Sequence, residues 1–354
     1  MPRLTGIGTA MGTSDKVHPL SMNILILGGT QFVGRAIAER ALAQGHEVTL
    51  FHRGRTGADL FPAEKYPLCR HLLGDRIDDI GLAEGVCWDA VLDVSCYLNG
   101  QASAATRLKT DFYCFVSTIS VYDLVGQSGP LNEATPILPS EEADEVTPAN
   151  YGPLKVRCEE ILKETFDDRL AVVRPGIVFG PHDPTGRFPY WVSRLDLYDE
   201  VLAIDQMEQP LQWIDVRDLA EFCVSLVESR KSGIWNAVGP RTTVGSMFKE
   251  ILRQVGKTSD SQTFKFVLAS HESLETIGVR AWIDLPLMYK SDDRWVTFNF
   301  DPAAAQANGL SLRSIEETVS ATLEWTRAEP EKISGKYGMS RDREVEAIKQ
   351  VKGT

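Results

Sequence analysis

The stretch from Met22 to Ile37, MNILILGGTQFVGRAI, constrains this chain more than any other. Asn23-Ile-Leu-Ile-Leu27 is an apolar run of the kind that forms a strand buried on both faces of a parallel sheet. Gly28 and Gly29 follow at once. Residues 31–42 then carry Phe32, Val33, Ala36, Ile37, Ala41 and Leu42 at helical spacing. Strand, glycine turn and helix stand in the order that receives a dinucleotide. A pyrophosphate needs backbone N–H groups at a helix N-terminus, where the dipole favours negative charge and a Cβ would obstruct the approach. The spacing is Gly28-x-x-Gln31-x-x-Gly34, so glutamine holds the middle position.

The second apolar run, Glu47-Val-Thr-Leu-Phe51, predicts the next strand and ends in His52-Arg53-Gly54-Arg55. An acidic side chain at this point would accept hydrogen bonds from an adenosine ribose, whereas an arginine accommodates a 2′-phosphate. With Arg53 and no Asp or Glu there, the reading leans to NADP over NAD. Arg70–Leu73 predicts a third strand running into Gly74-Asp75, where Asp75 accepts the adenine amino group or one of the following aspartates caps a helix. Trp88–Ser95 and Thr110–Thr118 predict the fourth and fifth strands, with Ser95 beside the cofactor. Strands alternating with helical patterns make a parallel, doubly wound sheet whose ligands lie at the strands' carboxyl ends.

Those ends carry Ser117-Thr-Ile-Ser-Val-Tyr122 and, beyond an acidic, proline-containing loop (131–148), Tyr151-Gly-Pro-Leu-Lys155. Positions four apart share a helix face, so Tyr151 and Lys155 converge. A free tyrosine has a pKa near ~10, and an adjacent cation favours the phenolate. Thr118 or Ser117 supplies a hydroxyl to orient the same substrate oxygen.

Composition narrows the alternatives. The 354 residues are 43% hydrophobic and 24% charged, enough for one large α/β domain and a smaller lobe. A net charge of −12 disfavours a phosphate backbone as partner, so no nucleic acid is expected. No segment approaches a membrane span. The six cysteines lack C-x-x-C spacing and read as reduced thiols of a cytoplasmic protein, with no metal site.

Taken with Arg174-Pro-Gly-Ile-Val-Phe-Gly-Pro181 and Trp213-Ile-Asp-Val-Arg-Asp-Leu-Ala220, these motifs in this order resemble the extended short-chain dehydrogenase/reductase family, the NAD(P)-dependent epimerase/dehydratase group. The resemblance spans residues 22–325. It implies a Rossmann-type doubly wound parallel sheet over residues 22–180, whose core also receives part of 210–240. A smaller C-terminal substrate-binding lobe would occupy mainly 181–330, and a charged helix or tail 331–354. Residues 1–21 read as a flexible leader, either ahead of a natural start at Met22 or foreign to the protein.

By the same resemblance, Thr118, Tyr151 and Lys155 are catalytic. Gly28, Thr30, Gln31, Phe32, Val33, Gly34, Arg53, Asp75, Ser95 and Lys155 hold the cofactor. Sugar 4,6-dehydratases of the family carry an Asp-Glu pair directly after the catalytic threonine, where this chain has Ile119-Ser120, so elimination is disfavoured. The 3,5-epimerising relatives have cysteine in place of Ser120. Hydride chemistry on a secondary alcohol or ketone remains: a 4-epimerase or reductase of a sugar-like substrate, foremost a nucleotide sugar. A reductase of a non-nucleotide ketone and a non-catalytic RNA-binding relative are the alternatives. Arg187, Trp213 and Arg241 are candidate substrate contacts, with a bidentate anion contact expected of Arg187. Asp215, Arg217 and Asp218 suit a helix N-terminus, and Trp235, Trp282, Trp295 and Trp325 read as core anchors. A homodimer is expected through the helices following Thr118 and Tyr151.

Overall fold

The computed structural model describes residues 21–259, 263–290, 293–333 and 335–353. Of the proposed leader only Ser21 falls among them, and the Trp295 side chain lies outside them.

A seven-stranded sheet dominates, in the order Gly233–Ala237, Leu170–Pro175, Tyr113–Val116, Ala90–Asp93, Asn23–Leu27, Glu47–His52, Cys69–Leu73. Every neighbouring pair is parallel. Ile24, Leu25, Ile26 and Leu27 are all fully buried, as a strand covered on both faces requires. The chain leaves Leu27 through Gly28 and Gly29, both at positive φ, into the Phe32–Ala43 helix. Strand order reverses between Asn23–Leu27 and its neighbour Ala90–Asp93, so a crevice opens there at the carboxyl ends.

Two of the expected long strands are interrupted. Cys87–Trp88 and Lys109–Thr110 pair only with each other, ahead of Ala90–Asp93 and Tyr113–Val116. The intervening Asp89 accepts the Asn23 N–H at 2.7 Å, which ends one ladder and seats the next. Likewise Gly176 divides Leu170–Pro175 from Ile177–Phe179, and the latter pairs with Trp213–Asp215 outside the main sheet.

Asp215 caps the Val216–Glu228 helix by accepting the Arg217 N–H, and its buried carboxylate holds the Arg217 guanidinium at 2.7 Å. Asp218 pairs with Arg313. These acids therefore serve the fold, tying that helix to the Ile315–Ala328 helix through Thr318 and the Glu317 carbonyl.

A second core gathers Phe179, Phe188, Trp191, Phe248 and Leu287 with residues as late as Ile348. The terminal charged segment forms the helix Arg341–Lys352. Its Glu344, fully buried, pairs with Arg194 and Arg341 and accepts the Leu202 N–H at 3.0 Å, so the chain's end is fastened into this core. After Thr118 the chain makes only a 3-10 turn, Ile119–Val121, before the Tyr151–Phe166 helix. The expected helix following Thr118 is absent: residues 123–150 form a loop, and the Tyr151–Phe166 helix packs instead on Asn99–Ala105.

Candidate active site

One cleft of about 500 Å³ runs from the glycine turn to Tyr151, lined by Gly28, Gly34, Arg53, Ser95, Thr118 and Lys155 among others. It also takes in Thr30, Gln31, Phe32, Val33, Asp75 and Arg187. At its base the glycines leave no spare room. A Cβ on Gly34 would lie 2.6 Å from the Gly29 nitrogen, and one on Gly28 would lie 2.7 Å from Val94 Cγ2. Gln31 is tolerated in the middle because its backbone is extended (φ −147, ψ 140), and its side chain is exposed. The positive φ falls on Phe32 instead, at 41°. The glycine turn and the N–H groups that open the following helix thus form a cradle that fits a dinucleotide pyrophosphate.

At the end of the cleft bordered by the second and third strands, Arg53 is exposed and lies 4.0 Å from Asp75, too far for a tight pair. Asp75 is engaged locally: its Oδ1 accepts the Ile77 N–H at 2.9 Å. Sequence reading missed Arg76 beneath it. Buried at 7% exposure, Arg76 forks onto Asp93 with both bonds at 2.7 Å and reaches Ser95 Oγ at 3.2 Å and the Gln101 carbonyl at 3.1 Å. Burial opposes the charge on Asp93, but the Arg76 guanidinium and the Tyr113 hydroxyl hold its carboxyl below the usual range. Ser95 also donates to the Leu27 carbonyl at 3.0 Å. Ser95 is therefore a fixed wall of the cofactor cleft, set by a buried ion pair.

Tyr151 opens its helix at the other end of the cleft. Lys155, one turn on, is almost fully buried, and its Nζ donates to the carbonyls of Cys96 (2.7 Å) and Val116 (2.9 Å). The Phe115 ring lies 4.0 Å from the ammonium and the Tyr97 ring 5.3 Å. Carbonyls and aromatic faces thereby take the place of a counterion, although burial still pulls the Lys155 pKa down.

Burial pushes the Tyr151 phenol up, opposed by a hydrogen bond with Thr118 and by the charge of Arg187. The Lys155 ammonium, expected from the sequence to favour the phenolate, is held by its two carbonyls one turn along the same helix. Thr118 meanwhile caps the 3-10 turn, its Oγ1 accepting the Ser120 N–H at 3.1 Å. Beneath Thr118, Ser117 donates to Glu159 at 2.5 Å, and Glu159 is clasped by the buried Arg174.

Arg187 begins its own helix behind Gly186, with Nε donating to Thr185 Oγ1 at 3.1 Å and its guanidinium over Trp282 (5.8 Å) and Tyr337 (5.4 Å). Its Nη groups engage no carboxylate among the described residues. The other two candidate contacts lie elsewhere. Trp213 is 7% exposed and stacked on Phe179 at 5.2 Å in the second core, because its strand neighbour Ile177–Phe179 turns that face inward. Arg241 is exposed just before the Thr242–Thr243 strand and does not line the cleft. Among the described residues no cluster of His, Cys, Asp and Glu could hold a metal ion, and no helix is long and apolar enough to cross a membrane.

A Rossmann cleft with a tyrosine, a lysine and a threonine at one end defines a class. The sequence profile of the NAD dependent epimerase/dehydratase family matches residues 24–94 and 101–238, more than half of the chain, and the chain belongs to that family. Among curated proteins it is similar to the chloroplast stem-loop binding protein of 41 kDa b of Arabidopsis thaliana, at 26% identity over 236 residues. That match covers 62% of this chain and 59% of the relative, so it spans less than two thirds of the relative's length. Among solved structures it is similar to the dTDP-glucose 4,6-dehydratase of Bacillus anthracis in complex with NAD: TM-score 0.67, 16% identity, covering 88% of this chain and 98% of that one. It is also similar to the UDP-N-acetylglucosamine 4-epimerase of Methanobrevibacter ruminantium M1 in complex with UDP-N-acetylmuramic acid: TM-score 0.65, 17% identity, covering 87% and 99%. At such identities the likeness establishes the fold.

The start of the Tyr151–Phe166 helix is closely fitted. A Cβ on Gly152 would press on the Ser120 carbonyl oxygen and lie 3.0 Å from Leu138 Cδ1. Gly152→Ala must therefore part Tyr151 from Thr118. A shift of this kind is expected to lower turnover by roughly 100-fold with cofactor affinity little changed, as steady-state kinetics and a cofactor titration would read.

Proposed function

We propose that the protein is an NADP-preferring oxidoreductase or 4-epimerase acting on a secondary alcohol or ketone of a sugar-like substrate, foremost a nucleotide sugar. The observation that carries this reading is the convergence of Tyr151, Thr118 and Lys155 at one end of the cleft whose other end is the glycine cradle. When bound, the nicotinamide supplies a hydride acceptor or donor. Tyr151 takes the proton from the substrate hydroxyl, or returns it to the ketone oxygen. Thr118 donates a hydrogen bond to that same oxygen, and Lys155 reaches the nicotinamide ribose. Arg187 receives an anionic or polyhydroxylated part of the substrate. Ile119 and Ser120 offer no carboxylate for elimination, which disfavours dehydration.

Native mass spectrometry followed by NAD(H) and NADP(H) titrations, with and without nucleotide sugars, tests this reading. Cofactor retained through purification supports the epimerase. A freely exchanged NADPH supports a reductase and directs the substrate search to non-nucleotide ketones. NADP preference rests on Arg53. Arg53→Asp is expected to move the NADPH/NADH affinity ratio by roughly 10- to 100-fold towards NADH, the size of a charge-assisted contact replaced by a repulsion. An unchanged ratio would remove Arg53 from 2′-phosphate recognition.

The stem-loop binding relative motivates a second reading, RNA association. The retained Tyr151 and Lys155 and the net charge of −12 oppose it. Steeply salt-dependent RNA binding without nicotinamide binding would establish it. We propose a cytoplasmic setting, since all six cysteines are free and five are buried, and a homodimer using the Tyr151–Phe166 helix.

A further inference from the structure

We infer that His52 and His71 form a strut that fixes the turn carrying Arg53, and that this strut is what lets the cleft distinguish a 2′-phosphorylated cofactor from an unphosphorylated one. The inference rests on the NADP reading above.

The arginine turn has little of its own to hold it. Arg53, Gly54, Arg55 and Thr56 are all exposed, and Gly54 and Gly57 stand at φ 69° and 54°. An arginine on a loose turn loses much of its contact to ordering, so a 2′-phosphate site needs the turn fixed beforehand. Two contacts fix it. Gly57 rests against the glycine cradle, where a Cβ would lie 2.5 Å from the Thr30 carbonyl oxygen. The other contact is His52, which at 7% exposure accepts the Gly54 N–H on Nδ1 at 3.1 Å.

His52 is itself held from the next strand. Its Nε2 lies 2.8 Å from His71 Nδ1, with the rings edge to face at 5.1 Å and 82°. The bonding dictates the tautomers. Because Nδ1 of His52 accepts, its proton sits on Nε2 and is donated to His71 Nδ1, which leaves the His71 proton on Nε2. Every inward ring nitrogen is thus used. The His52 carbonyl also accepts the Gly74 N–H at 3.1 Å, tying in the turn that carries Asp75. One histidine therefore joins both turns that border the adenosine end of the cleft. Neither ring touches the catalytic end, so the pair acts through Arg53 as a positioning device.

The test is the NADPH/NADH ratio of Kd values, measured by titration on the full-length protein and its variants. Wild type is expected to favour NADPH. His52→Phe, which keeps a ring but no acceptor, is expected to lose roughly tenfold of that preference, the worth of one hydrogen bond, while NADH affinity stays within about twofold. His52→Asn is expected to restore the preference to about the level of His71→Leu, since its side-chain oxygen can accept the same Gly54 N–H while the bond to His71 is lost. His71→Leu, at a half-exposed site that tolerates change, is expected to lose about threefold by freeing the His52 ring. A wild-type preference that persists unchanged in His52→Phe and His71→Leu overturns the strut alone. A wild type that shows no preference for NADPH overturns the cofactor reading and the strut with it. Equal loss in His52→Asn and His52→Phe overturns the hydrogen bond as the cause.

Discussion

Tyr151→Phe is expected to lower turnover by roughly 1,000-fold or more while leaving the Kd for cofactor within about twofold. The substitution removes one oxygen from a helix whose packing is otherwise unchanged, and under the proposed function that oxygen exchanges a proton with the substrate hydroxyl beside Thr118. The pH dependence follows from the direction of the phenol's shift. Burial raises Tyr151 above its ordinary value, so at neutral pH it stands mostly as phenol. Oxidation of an alcohol needs the phenolate, and kcat/KM in that direction should climb about tenfold per pH unit through neutrality until the phenol titrates. Reduction needs the phenol and should be flat there, falling only at alkaline pH. Arg187 lowers the phenol's pKa, so Arg187→Met should move the oxidation profile to higher pH as well as weaken substrate binding. Wild-type rates in Tyr151→Phe would remove the tyrosine from the chemistry.

What the sequence made legible was whatever depends on neighbours along the chain. The apolar run ending at Leu27, the glycines at 28 and 29 and the helical spacing after Gln31 are local features, and the cradle they predict is the one formed. The i, i+4 spacing of Tyr151 and Lys155 is equally local, and both line the cleft. Contacts fixed by sheet register were hidden. His71 reaches His52 only because the second and third strands pair with Leu50 opposite His71, which no motif encodes. Arg76, between two turn-forming aspartates and an exposed Ile77, reads as a solvated charge, yet it folds under the sheet onto Asp93. Trp213, a candidate substrate contact from the sequence, is placed by the parallel pairing of its strand with Ile177–Phe179 in the second core. Residues 88–95 and 110–118 read as unbroken strands because hydrophobicity alone does not reveal that Asp89 will accept the Asn23 N–H.

The largest loss of stability is expected from Asp93→Ala. Asp93 is fully buried and receives the Arg76 fork, the Tyr113 hydroxyl at 2.7 Å and the Ser95 N–H at 3.1 Å. Removing the carboxylate strands a guanidinium whose Nε already lacks a partner, and leaving such a charge buried and unpaired costs about 3–5 kcal/mol. Urea denaturation followed by far-UV circular dichroism would read the loss as an earlier midpoint. Asp93 is held below the ordinary carboxylate range, so its contribution is complete above an unfolded pKa of about 4 and is lost as pH falls through the lower folded value. The gap between wild type and variant should therefore be full at neutral pH and narrow only in strong acid. A triple replacement, Asp93→Leu with Arg76→Met and Tyr113→Phe, removes the three buried polar side chains together, leaving the Ser95 N–H and the Gln101 carbonyl, and should regain much of the stability, since well-packed apolar groups serve as well as a buried ion pair. It should not regain cofactor affinity, because Ser95 and the Gln101 carbonyl lose the guanidinium that sets the cleft wall. Recovery of both would show that the ion pair is a structural element only, and recovery of stability alone would show that its charge is kept for the shape of the cofactor site.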